Sequence, residues 1–320
     1  MNGILRGEWG YDGMVVSDWG AVHNTKEAAE SALDIEMSVT DDFDDYCMAN
    51  PLKRAVEAGE ISECLIDEKV RNILRLMFRL HILGGGERKA GSYNTPEHRQ
   101  CVLETAREAV VLLKNERKLL PLCEKDTKRV LVIGDNADRI HSCGGGSAEI
   151  KALYEITPLM GIKKLLGGNA DVTYVKGYEA DDFEESGNDV NWQADSLENG
   201  GGTVARREAG GTKLLTKQKS LREEAVRLAA ARRDTGDRHV PGAAAGMADE
   251  KESFVYDKVI FVGGQNHMQD LEGHDRPDMK LPYAQDVLIE ELLQVRPDAV
   301  IVLMSGSPVE MLWLPGKAGE

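Results

Sequence analysis

A carboxylate beside a tryptophan is the first pair of residues in this chain whose types and spacing could carry out chemistry. Asp18 and Trp19 follow the short apolar run Met14–Val16, and Gly13 precedes that run. Such a run between turn-forming residues is typical of a buried strand, and a carboxylate just past its end faces a cleft. Asp18 could attack a cationic sugar carbon while the flat face of Trp19 stacks on the sugar. The simplest alternative is that Asp18 only caps the next helix.

A second group of chemically capable residues lies in the loop Gly264–Arg276, which holds two histidines, several carboxylates and an arginine. The loop follows the apolar run Lys258–Gly263, and α/β folds place ligands at the carboxyl ends of parallel strands. Metal binding by His267 and His274 is one alternative, although their spacing matches no recognised ligand motif. A solvated polar loop is another.

Composition excludes several classes of function. The formal net charge of −16, from 39 basic and 55 acidic residues, argues against a nucleic-acid partner. No run reaches the roughly 18 apolar residues that a membrane span needs, and the N-terminus lacks the apolar segment of a signal peptide. The five cysteines are odd in number and form no Cys-x-x-Cys pair, so neither a disulfide framework nor a zinc site is expected. A reducing, cytoplasmic location follows as a prediction.

Hydrophobic periodicity predicts the elements that must position these residues. Fully apolar runs, typical of parallel sheets, predict strands at 129–133, 172–175, 258–263 and 299–304, and the last two flank a helix as in a right-handed βαβ unit. Apolar residues at helical spacing predict helices at about 26–37, 51–58, 66–77, 220–233 and 282–293. A further helix is expected to begin at Pro96 after the N-cap Thr95, with a buried stripe from Leu103 to Leu113.

Glycine-rich segments interrupt this pattern. Residues 84–91 form the best linker, and residues 181–252 are predicted to be mostly irregular around the helix at 220–233. The loop 142–148 contains three consecutive glycines and could cradle a phosphate group. It lacks the Lys-Ser/Thr pair and the Gly-x-Gly-x-x-Gly spacing of nucleotide-binding loops, which leaves nucleotide binding as a distant alternative.

Two segments resemble family 3 glycoside hydrolases, the β-glucosidase-like enzymes. Leu5–Val22, with its Gly-Met-Val-Val-Ser-Asp-Trp-Gly core, closely resembles the family's nucleophile segment, and Glu272–Arg276 resembles the loop that carries the general acid/base in many members. The resemblance implies that Asp18 is the nucleophile and Glu272 the general acid/base. It also implies that Trp19, Asp275 and Arg276 contribute to substrate binding, the last two by holding the loop together. No metal or organic cofactor is implied.

The resemblance also implies an α/β fold in two parts. Residues 1–84 would be the C-terminal part of a (β/α)8 barrel, residues 85–95 a linker, and residues 96–320 a mostly parallel α/β sandwich domain with helices on both faces. The catalytic site would then form between the two domains. A complete barrel takes about 250 residues, so the earlier strands and their sugar-binding residues have no counterpart in this chain.

Two hypotheses follow from the resemblance. In the first, the chain is part of a larger retaining hydrolase that acts on a β-glucoside or oligosaccharide. In the second, it is a non-catalytic carbohydrate-binding or structural remnant of such an enzyme. A homo-oligomer, or a missing N-terminal barrel segment, is the protein partner that either hypothesis allows.

Overall fold

The computed structural model describes residues 1–38, 40–87, 89–142, 152–180, 211–233, 254–267, 269 and 276–314, with only the backbone at 211–215. These residues group into two compact units, one from Met1 to Val111 and the other from Leu112 onward. The linker predicted at residues 85–95 stays a prediction. In the described ranges, no helix is long and apolar enough to cross a membrane.

Helices and strands alternate along most of the described chain, as an α/β fold requires. The helices are α1 (Thr25–Glu30), α2 (Asn50–Glu57), α3 (Glu63–Arg79), α4 (Pro96–Glu108), α5 (Pro158–Leu166), α6 (Gly211–Ala230) and α7 (Gln285–Val295). The strands are β1 (Val16–Trp19), β2 (Ile35–Met37), β3 (Arg129–Ile133), β4 (Asp171–Val175), β5 (Lys258–Gly264) and β6 (Val300–Met304).

The first unit contains a two-stranded parallel sheet of β1 and β2. The prediction of a buried strand that ends before Asp18 is wrong in two respects. Asp18 lies within β1, and the side chains of Val16 and Trp19 are 43% and 52% exposed. Among the described residues β1 pairs with β2 alone, so no further strand extends the sheet to cover them.

The predicted helix at 26–37 is also shorter than its apolar spacing suggested. Helix α1 ends at Glu30, because Ser31 adopts an extended conformation and its hydroxyl group donates to the carbonyl of Ala28. The chain then turns to place the amides of Asp34 and Ile35 on the carbonyl of Val15, at 2.9 and 3.1 Å. Pairing with β1 therefore makes the last three residues of the predicted helix, Ile35–Met37, into strand β2. The helices predicted at 51–58 and 66–77 are confirmed as α2 and α3.

Helix α4 begins at the predicted residue, but its apolar side chains are not buried as predicted. The Thr95 side chain accepts a hydrogen bond from the amide of His98, which confirms the N-cap. The predicted buried stripe is wrong, because the helix stops at Glu108 and Leu103, Val110 and Leu113 are 44%, 78% and 63% exposed. Apolar spacing alone cannot supply the second element against which such a stripe is buried.

The second unit is built on a four-stranded parallel sheet in the order β4-β3-β5-β6. Side chains of β3 alternate between two cores, since Leu131 and Ile133 face one cluster and Val130 and Val132 the other. The first cluster includes residues of α6 and α7, and the second includes residues of α5. The expected parallel sheet with helices on both faces is thereby confirmed for this unit.

Smaller differences concern element ends. Helix α6 begins at Gly211, nine residues before the predicted start, and Pro282–Ala284 forms a separate 3-10 turn before α7. Most of the glycine-rich loop at 142–148, and of the irregular segment at 181–252 outside α6, lies beyond the described residues.

Candidate active site

Asp18 is displayed on the surface of the first unit by a rigid element. Its carboxylate Oδ1 accepts a hydrogen bond of 2.8 Å from the amide of Trp19, and the side chain is exposed. The indole of Trp19 is 52% exposed. The structure thus places both residues on β1 with exposed side chains.

A buried carboxylate anchors the chain just before Asp18. Asp34, whose side chain is 2% exposed, accepts from the amide of Val15 at 2.7 Å and from Arg6 Nη2 at 2.8 Å through Oδ2. Its other oxygen accepts from Asn72 Nδ2 at 2.9 Å. Three donors satisfy this carboxylate, as a buried charge requires. Asp34 therefore ties the start of β1 to the α1–β2 turn and to helix α3.

Arg6 extends the same anchor along the segment that leads into β1. Besides the ion pair with Asp34, its guanidinium donates to the carbonyls of Tyr11, Gly13 and Ala32. A guanidinium presents several donors in a fixed planar geometry, so a single side chain can hold several carbonyl groups at once. The segment from Tyr11 to Val15 is consequently held by hydrogen bonds to Arg6 and Asp34.

Lys69 supports the turn that carries Asp34. It is buried, and its Nζ donates to the carbonyls of Ala28, Ser31 and Leu33 at 3.2, 3.0 and 2.5 Å. Burial lowers the pKa of the Lys69 ammonium group. Three carbonyl acceptors match the three donors of that group, which compensates for the loss of its water.

Sequence reasoning missed this anchor because it expected only the apolar residues of α3 to face the interior. Of those residues, Ile66, Ile73 and Met77 are half-buried, but Val70 and Leu74 are 44% and 40% exposed, whereas the polar Lys69 and Asn72 are buried. The available signal was the i, i+3 spacing of Lys69 and Asn72, which puts two polar side chains on one helix face. Only the position of the buried carbonyls and of Asp34 shows that this polar face points inward.

The second unit presents polar residues where its parallel strands end. The order of the strands reverses between β3 and β5, which are neighbours in the sheet. Parallel α/β sheets usually bind ligands at such a point, beside the carboxyl ends of the strands. Gly134 and Gly264 end β3 and β5 with positive φ, and a Cβ at either position would lie 1.9 Å from a backbone oxygen of the adjacent strand. Only glycine fits such an approach.

Buried amides and a carboxylate follow these glycines directly. Asn136 Nδ2 donates to the carbonyl of Gln265 at 3.0 Å and joins the ends of β3 and β5. Asp135 pairs with Arg139 at 2.6 Å, and both Asp135 and Asn136 are buried. The ends of β3 and β5 are thus joined by a buried network of polar contacts above an apolar sheet.

Two histidines meet near this edge. The rings of His141 and His267 are 6.0 Å apart in an edge-on arrangement, and burial lowers the pKa of His141. Among the described residues, no group of three or more histidines, cysteines or acidic residues could hold a metal ion. The metal alternative paired His267 with His274, which lies outside the described residues.

The remaining predicted site residues belong to the loop after β5. Glu272 and Asp275 lie outside the described residues. Arg276 is described, and its Nη2 donates to the carbonyl of Pro308 at 2.5 Å in the segment that follows β6. Arg276, at the end of the loop, is therefore hydrogen-bonded to the segment that follows β6.

Two family profiles match the chain. The Glycosyl hydrolase family 3 N terminal domain matches residues 1–76, and the Glycosyl hydrolase family 3 C-terminal domain matches residues 110–319. Beta-glucosidase BoGH3A from Bacteroides ovatus is 36% identical over 98% of this chain, which spans 37% of that relative. Thermostable beta-glucosidase B from Acetivibrio thermocellus is 29% identical over 97% of the chain, which spans 33% of it.

Solved structures share the fold. The crystal structure of DesR, a β-glucosidase from Streptomyces venezuelae in complex with D-glucose, superposes with a TM-score of 0.68 at 21% identity. The superposition covers 98% of this chain and 46% of that one. A β-glucosidase from Kluyveromyces marxianus in complex with glucose gives a TM-score of 0.66 at 21% identity, over 97% of this chain and 49% of that one. The matched profiles cover both described units, and the chain therefore belongs to glycoside hydrolase family 3.

Proposed function

We propose that the protein to which this chain contributes hydrolyses terminal β-D-glycosidic bonds with retention of configuration. The observation that supports the proposal best is the accessible Asp18 carboxylate on β1, in the stretch that resembles the family's nucleophile segment. The buried Asp34 holds the start of this strand through the amide of Val15. The chain spans only 37% of the Bacteroides ovatus relative, so the activity is proposed for the whole enzyme.

In this proposal two carboxyl groups divide the chemistry. Ionised Asp18 attacks the anomeric carbon and the bond to the leaving oxygen breaks, while Glu272 donates its proton to that oxygen. A glycosyl ester on Asp18 results. Glu272, now ionised, removes a proton from water, which attacks the anomeric carbon and releases both the sugar and Asp18. Retaining chemistry requires the two carboxyl groups to approach within about 5–5.5 Å.

The other site residues would bind the sugar in this scheme. Trp19 offers an exposed aromatic face beside the nucleophile, and Arg276 with Asp275 would shape the loop around Glu272. The substrate would be a β-glucoside or oligosaccharide, in line with the names of the relatives and with the glucose bound in two of the similar structures. The reaction needs no cofactor.

A non-catalytic carbohydrate-binding role is the second proposal, and the exposure of β1 favours it. Val16 and Trp19 are about half exposed on a two-stranded sheet, a surface that can bind sugar without turnover. A homo-oligomer, or an additional barrel segment, would be the partner that covers it.

A cytoplasmic location is proposed from the free thiols of Cys47, Cys64, Cys101 and Cys123.

Covalent trapping tests the catalytic proposal. The whole enzyme to which this chain contributes would be incubated with an activated 2-deoxy-2-fluoro-β-glucoside, and intact-mass and peptide analysis would locate the adduct. We expect one fluoroglucosyl ester on Asp18 in the wild-type enzyme, none in Asp18→Asn, and a normal adduct in Asp41→Asn, which changes another exposed aspartate of the same unit. Sugar binding measured by calorimetry without any adduct would favour the non-catalytic role instead.

A further inference from the structure

The pairing of β1 with β2 is irregular at the position of Asp18. Val16 pairs with Ile35 and Trp19 with Met37, so three steps along β1 correspond to two along β2. One extra residue is therefore accommodated in β1 between Val16 and Trp19. Bulges of this kind are rare in parallel sheets, and where they occur they bend the strand and re-aim a side chain.

The side chain of Ser17 makes hydrogen bonds at this irregular position. Its Oγ accepts a hydrogen bond of 2.8 Å from the amide of Met37 on β2 and donates one of 2.8 Å to the carbonyl of Asp18. On either side the backbone ladder continues, with Ile35 N bonded to the Val15 carbonyl at 3.1 Å and Gly20 N bonded to the Met37 carbonyl at 3.0 Å. The Ser17 hydroxyl group thus bridges β2 to the peptide of the nucleophile.

The bridge acts on the orientation of the Asp18 side chain. In a regular strand successive side chains point to opposite faces, so an inserted residue changes the face on which the next side chain emerges. The Asp18 carboxylate is then held by the Trp19 amide at 2.8 Å. The direction of the carboxylate therefore depends on the bulge, and the hydroxyl group of Ser17 is the polar contact that joins the bulge to β2.

We propose that Ser17 is a positioning residue, whose hydroxyl group holds the β-bulge that aims the Asp18 carboxylate at the anomeric carbon. The role rests on the proposed glycosidase function. A misplacement of about 1 Å at a reacting atom can cost about a hundredfold in rate, so loss of the bridge is expected to slow the attack by about ten- to a hundredfold. Binding of the sugar should change little, because Ser17 contacts neighbouring backbone groups.

Two substitutions of almost identical shape isolate the hydroxyl group. Ser17→Thr keeps the hydroxyl group and Ser17→Val replaces it with a methyl group, and both β-branched residues suit a strand. Amide exchange at Met37, measured by NMR with circular dichroism as the folding check, reports the bridge directly. We expect exchange at least about tenfold faster in Ser17→Val and close to wild type in Ser17→Thr.

The fluoroglucoside supplies the catalytic measurement. We expect the rate constant of adduct formation at Asp18 to fall about ten- to a hundredfold in Ser17→Val and to stay within about threefold in Ser17→Thr, with the half-saturating concentration unchanged in both. A wild-type rate in Ser17→Val, or unchanged Met37 exchange, would overturn the inference alone. Absence of an adduct on the wild-type whole enzyme would overturn the proposed function instead.

Discussion

The two parallel sheets of this protein hold their functional edges by different means. In the four-stranded sheet, Leu131, Ile133 and Phe261 are fully buried, and apolar side chains fill both faces. In the two-stranded sheet, Val16 and Trp19 are about half exposed, and the start of the strand is held by the buried Asp34 and its half-buried partner Arg6. Because this strand does not bury its side chains, hydrogen bonds rather than apolar contacts hold its start in place.

The difference has an energetic consequence. Burial of a Val, Leu, Ile or Phe side chain stabilises by roughly 1.5–3 kcal/mol and depends little on direction. A buried ion pair has a small net stabilising effect because desolvation opposes it, yet removal of one partner is costly. The first sheet should therefore be sensitive to single polar substitutions, and the second to changes in side-chain volume.

The largest effect is expected from a cavity in the second sheet. Phe261 is fully buried on β5, with its ring 6.2 Å from that of Tyr178. Phe261→Ala should reduce the free energy of unfolding by about 3–5 kcal/mol, measured by hydrogen exchange in peptides of β3, β5 and β6. Val302→Ala is the control, since Val302 on neighbouring β6 is 40% exposed and should cost under about 1 kcal/mol. Equal losses would contradict the packing argument.

A slightly smaller loss is expected from the polar anchor of the first sheet. Asp34→Asn removes the charge that pairs with Arg6, and it leaves a guanidinium that is only 21% exposed without its partner. We expect a loss of about 3 kcal/mol, measured by hydrogen exchange in peptides covering 11–19.

The surface ion pair between Asp12 and Arg79 supplies the control for that experiment. Both side chains are at least half exposed, and the contact lowers the pKa of Asp12 to about 2. Because solvent screens such a pair, Asp12→Asn should change exchange in the same peptides far less than Asp34→Asn. A larger effect of Asp12→Asn would show that the exposed pair, and not Asp34, anchors the strand.

The smallest effect concerns pH and the second unit. Arg296, 1% exposed, donates to both oxygens of Asp298 at 2.8 and 2.9 Å, and this hydrogen bonding lowers the pKa of Asp298. A lowered carboxyl pKa stabilises the fold above the unfolded pKa of about 3.9, and the stabilisation is lost as the pH falls below that value.

Asp298→Asn tests this expectation. Because Asp298 is 41% exposed, we expect a loss of only about 1 kcal/mol at pH 7, which shrinks as the pH is lowered through about 4 and below. Urea unfolding between pH 2.5 and 7 measures the difference. Glu224→Gln, which removes a charge at an exposed position of α6, is the control. A constant difference at all pH values would indicate that lost packing, not charge, is responsible.

Sequence patterns predicted the second unit better than the first, for a physical reason. Strands β3 and β5 are continuous apolar runs because both of their faces are largely buried, and the buried Leu288, Ile289 and Leu292 of α7 repeat at helical spacing. In the first unit the interior holds Lys69 and Asn72, while Val70 and Leu74 face solvent. A hydrophobicity pattern misses such buried polar residues, since it assumes that only apolar residues point inward.

The sequence by itself determined the α/β class, the family and the segment that carries Asp18, because apolar runs and a long motif are local properties of the chain. Only the tertiary structure decided how that carboxylate is held. Asp34 meets Arg6 and Asn72 across 28 and 38 residues, and the Ser17 hydroxyl meets the Met37 amide across 20. Such contacts depend on where the backbone brings distant groups together, and no local pattern encodes that distance.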